Sequence, residues 1–200
     1  MRKSIIRCLL AALATLPLGV AQAGDPEAGK KLVAACGGCH GATGVSKIPA
    51  MPSIAGFDPA YFVDDMLAFK HGDMESPMMV PFAKPYSREQ MEDMAAFYAQ
   101  QDWVPAPQKF DPAKAEKGKK LHEQYCGMCH MDGGSMAAAR EWSMAPLAGQ
   151  WTPYLRTTIK AFLTGKRPMT DGKPPRLRAF AQNEGDAGMD ALMDYYASQQ

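Results

Sequence analysis

The sequence has few cysteines, almost no net charge and, after residue 23, no long apolar run. Of its five cysteines, one lies at position 8 and the other four form two close pairs, so none remains for a structural disulfide. The 22 basic residues nearly balance the 21 acidic ones, which excludes the basic surface of a nucleic-acid-binding protein. A membrane-spanning helix needs ~20 apolar residues, and none is expected after residue 23.

Residues 1–23 have the pattern of an export signal. Three basic residues precede an apolar stretch over 8–21, and positions 21–23 read Ala-Gln-Ala, the small residues of a cleavage site. The apolar stretch is shorter than a membrane span. We therefore expect a signal peptide over 1–23 and a soluble, periplasmic mature chain that begins at Gly24.

Two pentapeptides carry the recognisable chemistry, Cys36-Gly37-Gly38-Cys39-His40 and Cys126-Gly127-Met128-Cys129-His130. A Cys-x-x-Cys-His run is the attachment signature of c-type haem, because two such thiols reach the vinyl groups of one porphyrin edge. The histidine that follows becomes the proximal iron ligand. The cysteines and the histidine of the two motifs are all offset by 90 residues. The sequence therefore predicts two covalent haem c groups, held by Cys36, Cys39, Cys126 and Cys129, with His40 and His130 on the irons.

The same thiols allow two other interpretations. Four thiolates can bind one zinc ion, and each pair can act as a redox dithiol. Neither alternative needs a histidine directly after both pairs, and a zinc ribbon usually separates its pairs by a much shorter stretch. The histidines therefore favour haem.

The mature chain is predicted to be an internal repeat of all-α domains. Each half contains apolar stripes at helical spacing and helix-start signals, near Pro26, Pro59 and Ser87 in one half and near Pro112, Pro153 and Asp186 in the other. We expect an N-terminal domain over 24–102, a proline-containing linker over 103–112 and a C-terminal domain over 113–200. The helix before each motif should pack on the closing helix of its half at Gly29 and Gly118, with Tyr98 and Tyr196 filling the glycine notch.

A second iron ligand is predicted from the spacing of the repeat. Met79 lies 39 residues after His40, and Met169 lies 39 residues after His130. Met78 remains a competitor for the first site, and Met74, Met78 and Met79 together also fit a copper(I) cluster. His71 and His122 lie off the repeat, and we expect both to be solvated surface residues.

The chain resembles the tandem dihaem class I cytochromes c, and more closely the dihaem cytochrome subunit of flavocytochrome c sulfide dehydrogenase. Residues that carry this resemblance are found in both halves. In the second half they are 148–155 (beginning Ala148-Gly149-Gln150-Trp151), Arg167-Pro168-Met169, 184–192 and 196–200, and in the first half Phe69-Lys70 with Gly72 and Ala83-Lys84 with Tyr86-Ser87.

The resemblance implies two haem domains packed about a pseudo-twofold axis, and a periplasmic FAD-binding subunit that oxidises sulfide and reduces the haems. It implies His40 with Met79 and His130 with Met169 as ligand pairs, no catalytic residue in this chain, and a downstream electron acceptor. The alternative is a free-standing dihaem carrier that delivers electrons to a terminal oxidase. An open-iron enzyme such as a peroxidase is disfavoured, because both halves have a methionine. We expect Trp151–Leu155, with Trp142 and Pro146, to contribute to the flavoprotein-binding face.

Overall fold

A computed structural model describes residues 24–168 and 173–200, and the regular structure in these residues is helical throughout. The predicted signal peptide and Met169 lie outside the described residues. The described α-helices are α1 (Pro26–Leu32), α2 (Gly37–His40), α3 (Pro59–His71), α4 (Met79–Ala83), α5 (Arg88–Ala99), α6 (Pro112–Leu121), α7 (Met136–Glu141), α8 (Thr152–Leu163) and α9 (Lys173–Ser198). The all-α prediction is confirmed.

The predicted helix starts coincide with caps in the structure. The Asp25 carboxylate accepts the Glu27 N–H, and the Asp111 carboxylate accepts two N–H groups at the start of α6. Ser87 and Gln90 form both bonds of a capping box at α5. These side chains satisfy N–H groups that have no partner within the helix.

The second half ends differently from the prediction. Its closing helix was expected to begin near Asp186, and the chain does break there, because Gly185 has φ 57° and ψ −151°. A further helical stretch from Lys173 precedes the break. Proline near the start of this stretch is compatible with a helix, because the N–H groups of the first turn have no intrahelical partner. The short helices α4 and α7 were not predicted from the sequence.

The repeat is visible in matching hydrogen bonds. The Gly56 N–H donates to the Tyr98 carbonyl at 2.7 Å, and the Gly149 N–H donates to the Tyr196 carbonyl at 2.9 Å. The Gly44 carbonyl accepts two N–H groups from residues 54 and 55, and the Gly134 carbonyl accepts two from 147 and 148. Each half therefore anchors the loop after its motif to its closing helix in the same way.

Each closing helix packs on the helix that leads into the motif, as predicted. A Cβ atom on Gly29 would lie 2.0 Å from the Asp93 carbonyl oxygen, and one on Gly118 would lie 2.0 Å from the Ala191 carbonyl oxygen. Tyr98 and Tyr196 do not fill these notches. Both tyrosines are turned toward the motif cysteines instead, and it is the Tyr195 Cβ that contacts Gly118.

The two halves are joined through Gln150 and Trp151. The Gln150 amide accepts the Ser53 N–H at 3.0 Å and donates to the Ser53 carbonyl at 2.9 Å, while the Trp151 indole N–H donates to the Ser46 carbonyl at 3.0 Å. Gln150 is 1% exposed and Trp151 is 8% exposed. These paired bonds satisfy buried polar groups of both halves and fix their relative orientation.

Three residues predicted for the flavoprotein-binding face cannot contribute to it, because Trp151, Leu155 and Pro146 are buried within this chain. Pro153 is exposed, and Trp142 is 54% exposed.

Substituting Gly118 with alanine tests the close helix crossing. The added methyl group would overlap the Ala191 carbonyl, so α6 and α9 must move apart, and we expect the free energy of unfolding to fall by about 1–3 kcal/mol. Gly38→Ala is the matched control, because its Cβ meets no atom within 4 Å. Equal melting temperatures for the two variants would contradict this packing.

Candidate functional site

A cavity of about 350 Å³ lies beside the first motif. Cys36, Cys39 and His40 lie on one side of it, and Met78 and Met79 also line it. Its remaining walls are largely apolar and include Ile54, Phe57, Phe62, Met66, Phe69 and Met74. An apolar chamber with a few defined polar groups is typical of a cofactor site.

A hydrogen bond from Nδ1 to the backbone fixes the orientation of the His40 ring. Its Nδ1 lies 2.9 Å from the Pro52 carbonyl oxygen, which can only accept, so Nδ1 carries the proton. The ring is 7% exposed, and burial lowers the pKa of His40. A neutral imidazole with Nδ1–H bound to a carbonyl leaves Nε2 as the metal-binding atom.

Two of the motif thiols lack the lowered pKa of a reactive redox cysteine. Burial raises the pKa of Cys36, although the Tyr98 hydroxyl beside it has the opposite effect. Burial likewise raises the pKa of Cys126 to about 11, with the Tyr196 hydroxyl beside it. A reactive cysteine needs a lowered pKa. The redox-dithiol interpretation is therefore disfavoured, and the described residues contain no group of three or more histidine, cysteine or acidic side chains that could hold a metal ion.

Met79 and Met78 differ in their setting. Met79 begins α4, its N–H donates to the Ser76 hydroxyl at 3.0 Å, and its side chain packs on the core of the first half. Met78 is 52% exposed. The more enclosed thioether favours Met79 as the ligand opposite His40.

The second half contributes one wall of the first cavity. Tyr154, Thr157, Thr158 and Ala161 of α8 line it, together with Arg167. Arg167 donates to the Asp65 carboxylate at 2.8 Å and to the Tyr61 hydroxyl at 3.3 Å. Burial lowers the pKa of Arg167, but the Tyr154 hydroxyl and the Asp65 carboxylate outweigh burial and raise it. The guanidinium is therefore a fixed positive charge at the cavity.

The second motif is reached through a wider turn than the first. Leu32 is followed by a 3-10 turn, Val33–Ala35, whereas Leu121 is followed by a π-helical turn, His122–Cys126, that accommodates one additional residue. The wider turn places His122 inside the protein. His122 is 2% exposed, and its Nδ1 lies 3.0 Å from the Tyr196 hydroxyl oxygen.

The prediction of a surface His122 is therefore wrong, because the π-turn carries the imidazole into the protein against the Tyr196 hydroxyl. His71 is exposed, as expected. Cys126 packs against the core of the second half, and Cys129 is exposed. With Met169 outside the described residues, the second methionine ligand stays a prediction.

Comparisons with known proteins agree with this duplicated arrangement. Residues 113–195 match the family described as "Cytochrome C oxidase, cbb3-type, subunit III". Cytochrome c4 of Thiocapsa roseopersicina is 33% identical over 151 residues, which cover 70% of this chain and 76% of that protein. Cytochrome c4 of Stutzerimonas stutzeri is 30% identical and covers 94% of this chain and 97% of its own length.

The chain belongs to the cytochrome c4 family. It is a dihaem c-type cytochrome, an electron-transfer protein with two covalently bound haem c groups. The crystal structure of reduced cytochrome c4 from Pseudomonas stutzeri has a TM-score of 0.75 and 28% identity, covering 89% of this chain and all of that one. The prediction of two tandem cytochrome c domains related by pseudo-twofold symmetry is confirmed.

Similarity to dehydrogenase subunits is weaker than similarity to cytochrome c4. The cytochrome subunit of sulfide dehydrogenase from Chlorobaculum tepidum is 36% identical over 70 residues, which is 35% of this chain and 63% of that protein. The thiosulfate dehydrogenase electron acceptor of Thiomonas intermedia is 31% identical over 189 residues. The closer resemblance proposed from the sequence therefore extends over only part of the chain. Within the described residues, no helix has the length and apolar character needed to cross a membrane.

The residues of the first cavity fit the family's cofactor. One apolar cavity is lined by Cys36, Cys39, His40 and Met79. The His40 Nδ1 binds the Pro52 carbonyl, so Nε2 is the nitrogen left for the iron. When bound, haem iron supplies a one-electron couple between the ferric and ferrous states. The chain provides the attachment points, the ligands and the exclusion of water.

Substituting Met79 with alanine tests its assignment. A methionine-ligated ferric haem has a weak absorption band at the red end of the spectrum from sulfur-to-iron charge transfer. Met79→Ala should remove about half of this band, because one of the two predicted methionine ligands is lost. Met78→Ala is the matched control and should preserve it. The reverse pattern would assign the iron to Met78.

Proposed function

We propose that this chain is a free-standing periplasmic dihaem carrier that takes electrons from a dehydrogenase and delivers them to a terminal oxidase. In this proposal, Cys36 and Cys39 with Cys126 and Cys129 attach the haems. His40 with Met79, and His130 with Met169, are the axial ligands. The export-signal pattern over 1–23 supports a periplasmic location.

The near full-length similarity to cytochrome c4 carries this proposal. A permanent complex with a flavoprotein needs a large, apolar face. Trp151 and Leu155, which were expected on such a face, are instead buried within this chain, where the Trp151 indole N–H donates to the Ser46 carbonyl.

A second candidate is the electron-accepting subunit of a flavocytochrome c sulfide dehydrogenase. The 36% identity to a sulfide dehydrogenase cytochrome subunit favours it, although the matching region covers 70 residues. In that case an FAD-binding subunit oxidises sulfide and stays bound to this chain. Trp142 is an exposed aromatic residue that would contribute to such a contact.

Mixing the dihaem chain with a sulfide-oxidising flavoprotein from the same source separates the two functions. For a free carrier, we expect no stable complex on gel filtration, and haem reduction whose rate rises with carrier concentration in stopped flow. The reaction without sulfide is the control. Co-elution of the two chains, with haem reduction independent of further dilution, would overturn the free-carrier proposal and support the subunit.

A further inference from the structure

An interdomain ion pair lies at the wall of the first cavity. Arg167, from the second half, and Asp65, from the first, both line this cavity, and their side chains meet at 2.8 Å. The Arg167 side chain is 12% exposed and the Asp65 side chain is 26% exposed. Because both groups are largely withdrawn from solvent, their charges act more strongly on a neighbouring group than surface charges do.

The position of Arg167 is also well defined. Its guanidinium reaches the Tyr61 hydroxyl at 3.3 Å and lies 5.2 Å from the centroid of the Phe162 ring. These contacts hold the cation over an aromatic face and against the opposite half. The charge therefore has one location rather than a range of solvated positions.

The repeat indicates that the loop does not need this charge in order to fold. The Arg167 N–H donates to the Ala161 carbonyl at 3.2 Å, and in the first half the Met74 N–H donates to the Ala68 carbonyl at 3.1 Å. Met74 is therefore the structural counterpart of Arg167. An uncharged side chain closes the same turn there, so the arginine has a role beyond backbone geometry.

We propose that Arg167 tunes the reduction potential of the first haem by neutralising the Asp65 carboxylate at its cavity. The inference rests on the proposed attachment of that haem to Cys36 and Cys39, and it holds for either proposed function. An oxidised haem site carries one more positive charge than a reduced one. An unpaired carboxylate beside it favours the ferric state and lowers the potential, whereas an unpaired guanidinium raises it.

The experiment compares Arg167→Gln, Asp65→Asn and the double variant in the holoprotein. Arg156→Gln is the matched control. It also removes an arginine of the second half, but the partner of that arginine, Asp190, is 51% exposed to solvent. Spectroelectrochemical titration gives both potentials, and haem-methyl proton resonances follow each haem separately. The resonances that lose their methionine-ligand signature in Met79→Ala identify the first haem.

We expect Arg167→Gln to lower the potential of the first haem by about 59 mV, a tenfold change in its one-electron reduction equilibrium. Asp65→Asn should raise it, and the double variant should return close to the parent. A purely structural role would move both single variants in the same direction. Shifts of like sign, or shifts equal to that of Arg156→Gln, would overturn the proposal.

The charge-pair measurements and the ligand assignment can fail independently. If Arg167→Gln does not fold with its haems, Asp65→Asn and the double variant still measure the sign and the cancellation. If Met79→Ala leaves both methionine signatures intact, the ligand assignment fails, and that result is distinct from the charge-pair outcomes.

Discussion

The cavity beside the first motif is the constraint on which the first half depends. A half of about 90 residues is small for an independent core. The cavity of about 350 Å³ beside the motif leaves apolar side chains without packing partners. Covalent attachment of a large apolar cofactor supplies those partners. The haem is thus part of the core as well as the redox centre.

The pairing of the halves follows from the same constraint. Helix α8 and Arg167 of the second half form one wall of the first cavity, so the first half does not complete this cavity alone. Gln150 and Trp151 fix this arrangement through bonds to the backbone of the first half. The electrostatic surroundings of the first haem therefore include residues of both halves. In such a carrier, a substitution in the second half can change the reduction potential of the haem in the first half.

Much of the fold was predictable because it depends on local chemistry. Asp25, Asp111 and Ser87 cap helices through their own side chains, and Gly29 and Gly118 mark close helix crossings. The motifs defined the cofactor, since a paired thiol and a following histidine have few other uses.

Long-range contacts account for what the sequence did not predict. A single extra residue before Cys126 shows in the repeat, because Leu121 follows Leu32 by 89 positions and Cys126 follows Cys36 by 90. The spacing does not show that this residue forms a π-turn that buries His122 against Tyr196. The role of Trp151 depends on a carbonyl 105 residues away, at Ser46. The Arg167–Asp65 pair likewise joins residues 102 positions apart, so neither residue carries a local sign of its role.

Mass spectrometry of the purified holoprotein and of its proteolytic peptides tests whether each half holds one haem through its own motif. We expect an intact mass equal to the mature chain plus two haems, with one haem on the peptide containing Cys36 and Cys39 and one on the peptide containing Cys126 and Cys129. A single haem, or zinc bound in place of haem, would contradict this expectation.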